Sequence, residues 1–108
     1  MPNLRAVIAR GEPIKLPSLV IYEWLRGPRT RDEIIEQEDL FPASRAIMFG
    51  PKEAALSADL YRSVRRARSR EIDIAIAACA IVNEAQLWTL NQADFVDIPG
   101  LRLYDPKA

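Results

Sequence analysis

Three carboxylates fall where an acid is out of place. Glu23 lies among Leu19, Val20, Ile21, Tyr22, Trp24 and Leu25, Asp73 heads a long apolar run, and Asp94 with Asn91 follows a segment containing Leu87 and Trp88. The chain has no histidine and one cysteine. Without imidazole, the Ser/His and Cys/His nucleophile pairs and most zinc ligand sets are excluded. What remains is carboxylate chemistry, and a site built of oxygen ligands selects a hard cation, Mg²⁺ or Mn²⁺. Each acid also has a plainer reading. A carboxylate in the first turn of a helix is stabilised by the free N–H groups and the positive dipole end, which suits Asp73. A single Glu in an apolar helix, such as Glu23, commonly marks its solvent edge. The metal reading requires that these acids meet.

The element that must position them begins at Asp73. From Ile72 to Val82 every residue except Asp73 is apolar, and at 100° per residue the Ile, Ala, Cys and Val side chains cover all sides. This spacing predicts a central buried helix. The run is too short for a bilayer, which needs about 20 such residues, so it is buried in a protein core. Cys79 lies inside it, has no second cysteine to pair with, and reads as a small core residue in a reducing compartment.

Around that helix the sequence alternates short apolar runs with helical patterns. Leu4, Val7 and Ile8 predict a short helix closed by Gly11 and Pro13. Ile14–Leu16 reads as a strand ended by Pro17, and Ser18 as the cap of a helix Leu19–Arg26 that stops at Gly27-Pro28. Thr30 and Glu33 form a capping-box pattern that opens an acidic amphipathic helix running to Phe41. Ala46–Phe49 is a strand candidate, followed by a long helix with Pro51 at its start. Arg62, Arg65, Arg66, Arg68 and Arg70 crowd the end of that helix, just before Asp73. Such a run is ordinarily a solvated face, and beside a carboxylate cluster it would also form a phosphate-attracting rim. Gln86–Leu90 and Leu101–Tyr104 read as the last strands, separated by a Pro99-Gly100 turn.

With 108 residues the expectation is one domain, residues 1–108, burying somewhat more than about 60% of its unfolded surface. The alternation of elements predicts an α/β fold with a mainly parallel sheet, its site outside the carboxyl ends of the strands. Fifteen basic and fifteen acidic side chains balance, so attraction to a polyanion must come from local clustering. The N-terminal apolar group Leu4–Ala9 is short and interrupted by Arg5, unlike a signal peptide. A cytoplasmic location with no membrane partner is the expectation.

In these segments and their order the chain resembles a PIN domain of the VapC toxin type over nearly its whole length. The residues that carry the resemblance are Ser18 to Gly27 with their central Glu23, the Asp73-Ile74-Ala75-Ile76-Ala77-Ala78 block, Thr89-Leu90-Asn91-Gln92-Ala93-Asp94-Phe95, and the trailing Ile98-Pro99-Gly100-Leu101. The resemblance implies a three-layer α/β/α fold with a mainly parallel central sheet. It also implies a Mg²⁺- or Mn²⁺-dependent endoribonuclease, the toxin half of a toxin–antitoxin pair, acting as a homodimer. Catalytic and metal-binding roles then fall to Glu23, Asp73 and Asp94, supporting roles to Asn91 and Thr89, and contact with the RNA backbone to Arg65, Arg66, Arg68 and Arg70. The chain departs from the family at its start. The family's opening strand ends in Asp-Thr-Asn or Asp-Thr-Ser and supplies a metal ligand, whereas no Asp precedes Asp32 here. The expectation is therefore a PIN-like domain without its first strand, in which activity is weakened. The alternative is a catalytically silent PIN fold that binds RNA or an antitoxin through its arginine-rich helix.

Overall fold

The computed structural model describes Gly11 and residues 13–105. In chain order it places helices α1 Ser18–Leu25, α2 Arg31–Leu40, α3 Pro51–Ser63 and α4 Glu71–Val82, with 3-10 turns at Ala43–Arg45, Ala67–Arg70 and Gln92–Asp94. The helix expected around Leu4, Val7 and Ile8 lies outside the described residues. Helix α4 is the predicted central helix. Ala77, Ala78 and Cys79 are wholly inaccessible, and Ile74, Ile76 and Ala80 are buried with them. Its most extensive packing is against α3. Leu60 of α3, Ile74, Ala77 and Ala78 of α4, and Phe95 and Ile98 from the C-terminal segment form the core, with Leu56, Val64, Ala67, Ile81, Leu87, Leu101 and Leu103 packed around it.

The expected three-layer α/β/α architecture with a parallel central sheet is not what forms. The described residues are 56% helix and 4% strand, with no sheet. The expected strands contribute two isolated parallel bridges, Pro17 with Ile47 and Leu87 with Leu103. Local chemistry explains why neither grows. At the first bridge Ile47 donates its N–H to Leu16 O (2.9 Å) and accepts from Ser18 N–H (2.9 Å). Pro17 has no N–H to give, and the chain turns into α1 at Ser18. At the second, Leu87 donates to Arg102 O (2.8 Å) and accepts from Tyr104 N–H (2.7 Å), these two partners lying a few residues after the turn at Pro99-Gly100. Parallel pairing is sustained when strands are flanked and covered on both faces, and these single bridges are joined to no third strand among the described residues. The apolar runs between helices are thus short extended links, and their side chains serve the helical core.

Helix ends follow the sequence more closely. Thr30 and Glu33 make the full capping box: Thr30 Oγ1 accepts from Glu33 N–H (3.1 Å), and Glu33 Oε1 accepts from Thr30 N–H (2.8 Å). Those bonds hold the Glu33 carboxyl below its usual range. Pro51 opens α3, and Glu53 reaches back to accept from Gly50 N–H at 3.1 Å. Ser18 is the first residue of α1 rather than its cap, which is Pro17 and makes no side-chain bond. The long arginine-bearing helix is broken. It ends at Ser63, Val64 is extended, and Arg66 takes a left-handed backbone (φ 54°) before the 3-10 turn Ala67–Arg70. Val64 and Ala67, on either side of the left-handed residue, are half-buried against the core. Among the described residues no helix is long and apolar enough to cross a membrane.

Candidate functional site

Asp73 stands in the first turn of α4, directly before Ile74, which is 1% exposed. Its position follows from the sequence: the apolar run sinks the helix, and Asp73 is carried to the edge of the core. Burial, then the charge of Asp94, push the Asp73 carboxyl above its usual range, and the Arg70 cation opposes them. Asp73 and Asp94, far apart in sequence, therefore share one electrostatic neighbourhood.

Asp94 closes the 3-10 turn Gln92–Asp94, donating its N–H to Asn91 O (3.0 Å). Thr89 shapes the approach to that turn, its hydroxyl accepting from Asn91 N–H at 3.1 Å. The buried Phe95 and Ile98 anchor the segment in the core on either side of Asp97. Arg70 ties it to α4. Its guanidinium grips Asp97 with Nη2 on Oδ1 (2.6 Å) and Nη1 on Oδ2 (3.0 Å), and also donates to Asp94 O (2.8 Å) and Arg65 O (2.9 Å). The charge-assisted fork lowers the Asp97 carboxyl below its usual range and raises Arg70 above its own.

Glu23 is placed differently. It pairs with Arg26 one turn along α1, at 3.5 Å, and α1 packs on α4. Among the described residues no three His, Cys, Asp or Glu side chains are grouped to hold one metal ion. The structure joins Arg70 to Asp97 and to the main chain of Asp94, close enough to Asp73 for the Asp94 charge to act on its carboxyl, and groups no three of these acids with Glu23 among the described residues. Arg65, Arg66 and Arg68 are exposed around the break that precedes α4, while Arg70 turns inward. Asp97 is the participant that sequence reasoning missed. Its link to Arg70 spans 27 positions, and no local spacing signals it.

Two concave regions, of about 510 and about 400 Å³, lie elsewhere. The larger is bordered by Ile14, Leu16, Phe41 and Arg45, the smaller by Phe49, Tyr61, Glu71 and Ile74. Neither is lined by Asp73 or Asp94, although Glu71 and Ile74, on either side of Asp73 in the sequence, border the smaller. The Cys79 thiol offers no competing chemistry, since burial and the nearby Glu53 charge push it up to about 11. Compared with known proteins, the chain matches no family model, no curated protein and no solved structure.

Proposed function

We propose that this protein is a divalent-cation-dependent ribonuclease of the VapC kind, and that Asp73 and Asp94 are the carboxylates at its centre. The observation that carries the reading is that Arg70, at the entrance to α4, donates to Asp94 O at 2.8 Å, which sets the turn bearing Asp94 against the start of the helix bearing Asp73; burial and then the Asp94 charge raise the Asp73 carboxyl. Two like charges held together are relieved by a cation, and their oxygens are the donors that Mg²⁺ or Mn²⁺ prefers. When bound, such an ion supplies an acidified water for attack on a phosphodiester. The chain's own residues do the rest. Asp73, its carboxyl raised by burial and then by Asp94, would serve as a ligand and a proton acceptor beside the ion, and the exposed Arg65, Arg66 and Arg68 would attract the RNA backbone. An antitoxin or a second copy of the chain would have apolar surface to cover, because Tyr22, Leu25, Ile34, Ile35 and Leu40 on α1 and α2 are exposed. The setting is the cytoplasm.

A second reading is favoured by the donor count. Hard cations take about six oxygen ligands, and the described structure groups two of the three expected carboxylates. On that reading the chain binds RNA or an antitoxin and does not cleave. One experiment separates the two: Mn²⁺-dependent cleavage of a labelled RNA by the full chain, by Asp73→Asn and by Asp94→Asn. The ribonuclease reading expects slow cleavage that chelation stops and either substitution abolishes. RNA retention without cleavage by all three proteins selects the silent binder, and cleavage at equal rates by all three removes both carboxylates from the reaction.

A further inference from the structure

We propose that Arg70 and Asp97 form a clamp that positions Asp94 beside Asp73, so that Arg70 serves the acid pair from within and is not a contact for RNA. The inference rests on the proposed cation site and assigns it a positioning residue.

The geometry carries it. Arg70 is 16% exposed in its side chain, unlike its neighbours Arg65, Arg66 and Arg68. Each terminal nitrogen of its guanidinium already donates twice: Nη1 to Asp97 Oδ2 and Arg65 O, Nη2 to Asp97 Oδ1 and Asp94 O. Those four bonds use the four terminal N–H groups, which leaves no paired donors for a phosphate unless Asp97 is released. The acceptors lie on two segments. Arg65 belongs to the chain entering α4, and Asp94 and Asp97 to the segment that Arg70 holds at its entrance. One of the bonds ends on the main chain of Asp94 itself. Arg70 precedes Asp73 by less than one helical turn, so the clamp fixes the origin of one carboxylate relative to the other.

A charged guanidinium beside carboxylates admits a competing role, that of a counter-ion standing where a cation would bind. The two roles predict opposite signs. A counter-ion hinders Mn²⁺, so removing its charge would tighten Mn²⁺ binding. A clamp supports the ligands, so removing it weakens binding, by about the tenfold or more typical of groups that orient metal ligands.

The test uses the full chain with Mn²⁺ alone, its affinity read by electron paramagnetic resonance, in the wild type, Arg70→Gln, Arg70→Lys and Asp97→Asn. Arg70→Lys keeps the charge and loses the planar fork. Native-state hydrogen exchange of the metal-free proteins follows the Asp94, Phe95 and Ile98 amides against those of Ala77–Ala80. The expected result is about tenfold weaker Mn²⁺ binding in all three variants, including Arg70→Lys, with faster exchange confined to the 94–98 amides. Asp97→Asn alters a side chain at the surface and keeps the comparison usable if an Arg70 variant fails to fold. Tighter binding by Arg70→Gln, or wild-type affinity in Arg70→Lys, overturns the clamp. Unchanged exchange at 94–98 overturns it whatever the metal does. Absence of saturable Mn²⁺ binding by the wild type, with the exchange change present, instead rejects the cation site and with it the role given to the clamp.

Discussion

Replacing Ile74 by alanine tests whether the helical core holds this molecule together. Ile74 is 1% exposed and among the largest side chains that are completely enclosed. It packs in the cluster with Leu60, Ala77, Ala78, Phe95 and Ile98. The substitution removes three carbons, worth about 2.4 kcal/mol of transfer free energy at about 0.8 kcal/mol each. The cavity left behind adds to this, giving a total of about 3 to 4 kcal/mol, within the range for buried Ile to Ala. Against the roughly 5 to 15 kcal/mol of an ordinary domain, that is a large share. Urea titration followed by far-UV circular dichroism should show a much lower midpoint with an unchanged slope. Ile35→Ala is the control, because Ile35 is 50% exposed on α2 and its loss should cost under about 0.5 kcal/mol. Equal effects from the two substitutions, or a loss below about 1 kcal/mol for Ile74→Ala, would refute α4 as the centre of the core.

Asp73→Asn should stabilise the protein at pH 7. A carboxyl raised on folding makes the folded state bind more protons than the unfolded chain between the two pKa values, so stability falls as pH rises through that window and stays lower above it. Asparagine removes the penalty, and thermal melts of the two proteins should converge below the ordinary carboxylate range; identical melts at pH 7 would contradict the burial of Asp73. The Cys79 thiol, pushed up to about 11, should resist a thiol reagent at pH 8 in the native protein and react at once in denaturant, whereas rapid native labelling would place Cys79 outside the core. Thr30→Ala should cost about 1 kcal/mol by losing the capping box, and a double cycle with Glu33→Ala, read by urea unfolding, should show that the two bonds are coupled.

The parts of the fold legible in the sequence are those decided within a few residues. The all-round apolar run at Ile72–Val82 could only be a buried helix, and Thr30 with Glu33, or Pro51 at a helix start, are chemical signals complete in themselves. The sheet was misread because short apolar runs between helices look alike whether they pair with two neighbours or with one. Only the tertiary structure shows that Ile47 and Leu87 each meet a single partner residue. The end of α3 was overrun for a related reason. Alanine and arginine favour helix on both sides of the break, and nothing local marks Arg66 as the residue that turns left-handed. At the site, the motif order singled out Asp73 and Asp94, and the structure links the segment of Asp94 to the entrance of α4 through Arg70. The Arg70 to Asp97 fork could not be read, since neither residue carries a local sign of the other.

A parallel sheet would normally be the frame that brings distant acids to one edge, and this molecule reaches a similar juxtaposition of Asp73 and Asp94 by other means. Phe95 and Ile98 enter the same core as Ile74, so the residues adjoining both acids are buried together. Asp73 immediately precedes Ile74 and Asp94 immediately precedes Phe95, and the two carboxylates are thereby carried to the rim of one hydrophobic cluster. Burial of the cluster also draws Asp73 partly out of water, and that desolvation, with the Asp94 charge adding to it, raises the Asp73 carboxyl. Arg70 limits that cost from the third side. The placement of both acids is therefore a consequence of core packing, while Glu23 on α1 is paired with Arg26 at 3.5 Å. A chain built this way can retain the Asp73 and Asp94 pair without a sheet, provided that Ile74 and Phe95 stay buried.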